Sequence, residues 1–137
     1  MTREVHVSAA VVLDHDGRAL LVRKRGTSVF MQPGGKPESG ETPADTLVRE
    51  LAEEVGLHVD PTDLEPLGLF RASAANEPGF TVVAHAFAVP SPVAPADVAA
   101  GAEIDELRWF SAAEASVLPL APLSLVLLPL VWGANPR

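Results

Sequence analysis

This chain has no cysteine among its 137 residues, which excludes a disulfide framework and a thiolate metal site. It is also short of positive charge: Lys and Arg total 10 against 18 Asp and Glu, for a formal net charge of −8. Binding a nucleic-acid polymer depends on neutralising many phosphates, so no such partner is expected. A small polyphosphate bridged to carboxylates by metal ions is compatible with the same balance. The longest apolar run, residues 125–132, is broken by Pro129 and falls far short of the roughly 20 residues that cross a membrane. The opening residues MTREVH lack the apolar centre of a signal peptide. A cytoplasmic protein with no membrane partner is therefore expected. Apolar residues make up 47% of the chain and charged residues 20%, a balance that argues against disorder and suits one domain spanning residues 1–137.

The most informative stretch is residues 35–57. It reads Gly35-Lys36-Pro37-Glu38-Ser39-Gly40-Glu41, then seven residues, then Arg49-Glu50-Leu51-Ala52-Glu53-Glu54-Val55-Gly56-Leu57. Thr42 can cap a helix, Pro43 suits its first position and Asp45 completes a capping box. Gly56 offers a left-handed stop. Between them Ala44, Val48, Leu51 and Val55 share one face, and Glu50, Glu53 and Glu54 share another. Arg49 stands four residues before Glu53 and can orient it. Each like-charge pair on a helix costs about 0.2–0.5 kcal/mol, and a hard divalent cation with oxygen ligands would relieve that repulsion.

Around this stretch the chain alternates strands and turns. Residues 5–13 read as a buried strand, and Asp14-His15-Asp16-Gly17 as a turn into a second hairpin arm at residues 19–22. Arg23-Lys24-Arg25 follows, with Arg23 the first choice to reach a substrate phosphate. Residues 26–31 read as a short strand leading into Gln32-Pro33-Gly34-Gly35-Lys36. Strands are expected at residues 64–72 and 80–89, joined by a polar turn at residues 76–79. His85 is expected to be packed in the core. The Pro- and Ala-rich residues 90–101 read as a mobile loop beside the site, and residues 107–110 as a last strand. Ser111 and Glu114 form a capping box. The apolar residues 122–132 are expected to be buried as a helix or to form part of a homodimer contact.

The spacing G-x5-E-x7-R-E-U-x-E-E-x-G-U, with U apolar, is matched at every specified position by residues 35–57. At roughly 5–7% usage per fixed residue, it arises by chance about once in 10⁸ or more starting points, which decides against an ordinary solvated acidic helix. The chain resembles the Nudix hydrolases of the MutT-like type. That resemblance implies an α/β fold, the α/β/α sandwich with a mixed β-sheet, and hydrolysis of a phosphoanhydride bond in a nucleoside diphosphate derivative.

It further implies that Glu50, Glu53 and Glu54 hold Mg²⁺ (or Mn²⁺ in its place), with the Gly35 carbonyl in support. Glu41 would act behind them or bind a further ion, and Arg49 would fix the carboxylate geometry. Glu103, with Glu106 in reserve, is the candidate further ligand or general base; a glutamate of residues 35–57 is the other candidate for the base. Arg23, Lys36 and Gln32 are the candidate substrate-binding residues; Gln32 stands where many family members carry an aromatic residue. The expected substrate is a small nucleotide, foremost a (d)NTP cleaved to nucleoside monophosphate and pyrophosphate. ADP-ribose or a dinucleoside polyphosphate is the alternative, and a non-catalytic nucleotide-binding module the reading from another class. Isomerisation of a prenyl diphosphate would need cysteine chemistry that this chain lacks.

Overall fold

The computed structural model describes residues 3–75 and 77–132. In chain order its elements are β1 Arg3–Val11, β2 Ala19–Lys24, the two-residue β3 Gly34–Gly35, α1 Pro43–Val55, β4 Glu65–Ser73, β5 Phe80–Ala88, β6 Ile104–Phe110, α2 Ala112–Ala115 and α3 Pro122–Trp132. A mixed sheet runs β3-β1-β5-β4, with β1 parallel to β5 and the other pairs antiparallel. A second sheet pairs β2 with β6, antiparallel.

The turn after β1 forms as expected: Asp14 Oδ1 accepts the amides of Asp16 at 2.9 Å and Arg18 at 2.8 Å, and Gly17 takes a φ of 77°. The hairpin does not form. Beyond an isolated bridge between Leu13 and Ala19 the arms part, because β1 has β5 on one edge and β3 on the other. β2 is left to pair with β6. Residues 26–31 are a turn with isolated bridges at Phe30 and Met31 rather than a strand. The hairpin of β4 and β5 does form; Asn76, the first residue of its expected turn, lies outside the described residues, as do Met1 and Thr2.

Helices cover both faces of the sheets, giving helix on sheet on helix. On one face Leu47, Leu51 and Val55 of α1 pack with Ala10, Val12, Leu20, Val22, Phe87 and Ile104. The buried stripe is centred on Leu47, while Ala44 and Val48 lie at its margin. On the other face Leu127 of α3 meets Ala9, Val11 and Ala86, and Leu128 meets Leu21, Phe30 and Phe110. Each fully buried leucine contributes about 1.5–3 kcal/mol. α3 is covered on one side only, since Leu125 and Leu130 stay exposed. His85 is exposed as well, because α1 lies over β1 and β3 and leaves this part of β5 bare.

Candidate active site

Both ends of α1 are fixed. Thr42 Oγ1 accepts from Asp45 N at 3.1 Å and Asp45 Oδ2 accepts from Thr42 N at 3.3 Å, a reciprocal cap that satisfies otherwise orphan amides. Gly56 closes the helix at a φ of 68°. The last carbonyls are capped from a distance: Ala99, Gly101 and Ala102 donate their amides to Val55 O at 3.0 Å, Glu54 O at 2.7 Å and Glu53 O at 3.2 Å. The segment at residues 90–101, expected to be mobile, is therefore bound to the helix that carries the carboxylates. Only glycine fits at its closest point, where a Cβ on Gly101 would lie 2.1 Å from Glu53 O.

The spacing of α1 sorts its three glutamates. Glu54 falls on the same stripe as Leu47 and Leu51 and is buried, its side chain 8% exposed. Its Oε1 accepts the Gly34 amide at 3.0 Å, and Lys24 Nζ lies 3.4 Å from its Oε2. Burial pushes the Glu54 carboxyl above its ordinary value, and the Glu50 charge adds to this; Lys24 and the Gly34 amide oppose it. Glu50, one turn earlier, is 15% exposed and lies against Gly35, where a Cβ would be 2.6 Å from its carboxyl carbon. Glu53 turns outward at 53% exposure.

Arg49 ties the parts together. Its Nε and Nη2 donate to the two Glu41 oxygens at 2.7 and 2.9 Å, its Nη1 to Glu50 Oε1 at 2.7 Å, and its Nη2 also to Lys36 O at 3.0 Å. Glu53 Oε2 is 3.5 Å from Nη1. A planar guanidinium holds a carboxylate in this two-point manner, where an ammonium would act as a point charge. The Arg49 hydrogen bonds hold Glu41 far below the ordinary carboxylate range, at about 2, with the Glu38 amide assisting.

Arg49, Glu50 and Glu54 line a cavity of about 490 Å³ that also takes in Gly34, Gly35, Lys24, Lys36 and Glu103. Glu103 has a φ of 63°, an uncommon backbone state for a residue with a side chain, and its carbonyl accepts the Arg25 amide at 2.8 Å. The cavity lining also includes the aliphatic Val5, Val7, Val82 and Leu123. Gln32, also on the cavity lining and 5% exposed, accepts the Ser124 hydroxyl on Oε1 at 2.7 Å, while its buried Nε2 has no partner. Leaving such a donor unmet costs about 1–3 kcal/mol. Lys36 Nζ lies 3.4 Å from Glu77 Oε1, and both residues line the cavity.

Seven residues singled out from the sequence thus line one cavity: Gln32, Gly35, Lys36, Arg49, Glu50, Glu54 and Glu103. Glu41 and Glu53 reach this group through Arg49. Arg23 does not join it. Its guanidinium donates to Thr27 O at 3.0 Å and lies 3.4 Å from Glu106 and 3.7 Å from Asp105. Strand alternation puts Arg23 on the Leu21 side of β2 and Lys24 on the Val22 side, which faces α1. Ser124 was not singled out, and Lys24 stood only behind Arg23 in the basic trio. The register of Lys24 with Leu20 and Val22 pointed to it, but Leu21 is as buried as they are, so hydrophobicity did not choose between the faces.

Residues 2–131 match the NUDIX domain family. The chain belongs to that family. It is 32% identical over 127 residues to the CTP pyrophosphohydrolase of Escherichia coli, a match that covers 87% of this chain and 85% of that protein. It is 40% identical over 107 residues to an octanoyltransferase of Myxococcus xanthus, but there the match covers 75% of this chain and 29% of the relative. Among solved structures, the E. coli ORF135 protein superposes with a TM-score of 0.71 at 29% identity, covering 97% of this chain and 93% of that one.

Nudix hydrolases generally use divalent metal ions. Among the described residues of this Nudix domain, no three His, Cys, Asp or Glu side chains stand close enough to enclose an ion. The three-glutamate convergence expected from the helix is therefore a pair, Glu50 and Glu54, with Glu53 alongside. The donor set still fits a hard cation. It consists of carboxylate oxygens, and the bare Cα of Gly35 admits the Glu50 carboxylate against the backbone. A buried carboxylate kept near a second one is a charge arrangement that a dication would relieve.

Proposed function

We propose that this Nudix domain is a Mg²⁺-dependent pyrophosphohydrolase that cleaves a (d)NTP to the nucleoside monophosphate and pyrophosphate. The observation that carries this reading is the meeting of Glu50 and Glu54 at Gly34–Gly35, on a cavity lined by both charged and aliphatic side chains. A nucleotide likewise combines charged phosphates with a less polar base and sugar, and a cavity of this size lies in the usual range for small-molecule sites. Likeness to a CTP pyrophosphohydrolase over 85% of that relative's length favours a nucleoside triphosphate over ADP-ribose.

Glu50 and Glu54 would hold the cation, with Glu53 and the Gly35 carbonyl as further oxygen donors. Bound there, it would neutralise phosphate charge and lower the pKa of an attacking water. Arg49 keeps Glu50 and the loop at Lys36 in place. Lys24 and Lys36 supply positive charge towards the phosphates. Glu103, on the cavity wall, accepts the proton of the water as its oxygen bonds to phosphorus and the anhydride P–O bond breaks, releasing pyrophosphate. A non-catalytic role is disfavoured because no glutamate of residues 35–57 required by the motif is replaced.

The test is a panel of (d)NTPs, ADP-ribose and dinucleoside polyphosphates with Mg²⁺ or Mn²⁺. A triphosphate should give pyrophosphate, and Glu54→Gln should lower kcat by about 10² or more, comparable to removal of a general base. Absence of turnover on every phosphoanhydride, by folded protein with metal supplied, overturns the reading.

A further inference from the structure

We propose that the turn at Lys24–Thr27 is a positioning element for Glu103: the Arg25 main-chain amide holds Glu103 in a left-handed backbone state and so keeps it on the cavity wall for proton removal. This rests on the hydrolase reading above, in which Glu103 takes the proton of the water. Glu103 is the one residue other than glycine with a positive φ among the described residues, at 63°. That state is costly for a residue with a Cβ and persists only where its surroundings impose it. Here three main-chain hydrogen bonds do so. Ala102 N donates to Glu53 O at 3.2 Å, Ile104 N to Gly101 O at 3.3 Å, and Arg25 N to the Glu103 carbonyl itself at 2.8 Å. None of the three uses the Glu103 side chain. Glycine would satisfy the same backbone at lower cost, so the fold accounts for the conformation but not for the glutamate. Glu103 lines the cavity, and a carboxylate is what the residue brings to it.

The turn is shaped for that hold. Thr27 N donates to Lys24 O at 3.0 Å, Gly26 takes a φ of 76°, and Arg25 ahead of it stays at negative φ. This is the pattern of a type II turn with Arg25 at its second position. The turn's own hydrogen bond does not use the amide at that position, and the amide goes to Glu103. The strands are staggered here as well: Arg23 pairs with Glu106 but Lys24 with Ile104, which leaves Asp105 as an extra residue in β6. Such a bulge re-aims the chain beside it, and Glu103 lies directly beyond.

Proline is favoured at the second position of a type II turn, so Arg25→Pro removes the N–H and keeps the turn. With Mg²⁺ and a triphosphate, well below the melting temperature, Arg25→Pro should lower kcat by about 10–100-fold, the effect of a misplaced catalytic group, with KM within about twofold of the wild type. Arg25→Ala retains the amide and should exceed Arg25→Pro in kcat by about tenfold or more. A role in stability alone would leave the two variants with equal kcat. The held state is read separately, from melts. Glu103→Gly should melt about 2–4 °C above Glu103→Ala, the reverse of the usual order of these two residues. Glu103→Gly melting at or below Glu103→Ala overturns the held state, and equal kcat in Arg25→Pro and Arg25→Ala overturns the positioning role. Either result leaves the hydrolase reading intact. Full activity in Glu103→Gln overturns the proposal and moves the base to a glutamate of residues 35–57. If the wild type hydrolyses no phosphoanhydride, the hydrolase reading itself fails and takes the proposal with it. Should Arg25→Pro not fold, the two melts and the Glu103→Gln rate decide.

Discussion

Lys24 Nζ stands 3.4 Å from Glu54 Oε2, so a cation from β2 already offsets the buried carboxylate of α1. Together with the Gly34 amide it offsets the burial of Glu54, and a metal ion held there would compete with it for the same carboxylate.

Replacing Lys24 with Met should tighten Mn²⁺ binding in the absence of nucleotide. Two charges 4 Å apart interact by about 4 kcal/mol at an effective dielectric of 20, but Lys24 is one-third exposed, and solvent screening reduces the effect to about 1 kcal/mol. The expected change is roughly fivefold in Kd, read by titration with Mn²⁺ electron paramagnetic resonance. Unchanged or weaker binding would remove the competition between lysine and metal.

Gly35→Ala should separate activity from stability. The new Cβ would press on the far end of Glu50, which can swing away at little cost to folding. The displaced carboxylate should then lower kcat/KM by about 10–100-fold, as loss of an orienting partner does, with Tm nearly unchanged. A fully active variant would show that the placement of Glu50 beside Gly35 is irrelevant to turnover.

Gly101→Ala should behave in the opposite order. Here the Cβ meets a backbone carbonyl, Glu53 O, at 2.1 Å, and the loop must lift off the end of α1. A loss of about 2 kcal/mol is expected, on the order of 8 °C in Tm for a chain of this size. Amide hydrogen exchange at Ala99, Gly101 and Ala102 should rise with it, and a thermal melt matching the wild type contradicts the capping role.

Glu41 gives an acid limb to stability. Its folded pKa is lowered from 4.5 to about 2, first by hydrogen bonds from Arg49. A depressed carboxylate stabilises the fold above its unfolded pKa and loses that contribution as pH falls through the folded value. The loss should therefore run from about pH 4.5 down to about 2. Melts recorded across that window should slope less steeply for Glu41→Gln than for the wild type; parallel slopes would place the acid sensitivity elsewhere.

The parts legible in the sequence were those coded locally. The caps of α1 at Thr42–Asp45 and Gly56, the Ser111–Glu114 box and the apolar α3 depend on residues within a turn or two of one another, and each formed. Strand partnership was not legible. Asp14 and Gly17 specify a reversal, but nothing near them records that β5 and β3 occupy both edges of β1. The choice of Lys24 over Arg23 was hidden because both faces of β2 are buried, so no polar side marked the outward direction. The docking of residues 99–102 uses main-chain amides, which leave little trace in side-chain chemistry beyond the glycine at 101. His85 was misplaced for a related reason: its neighbours are apolar, but how far α1 extends over the sheet is a property of the assembled layers.

Among the described residues that line the cavity there is no Phe or Trp; Trp109 packs in the α1 core and Trp132 donates its indole N–H to Gly17 O. The binding chamber is thus optically silent. Intrinsic fluorescence should barely register an arriving nucleotide, and a base held there would find no Phe or Trp ring to lie against.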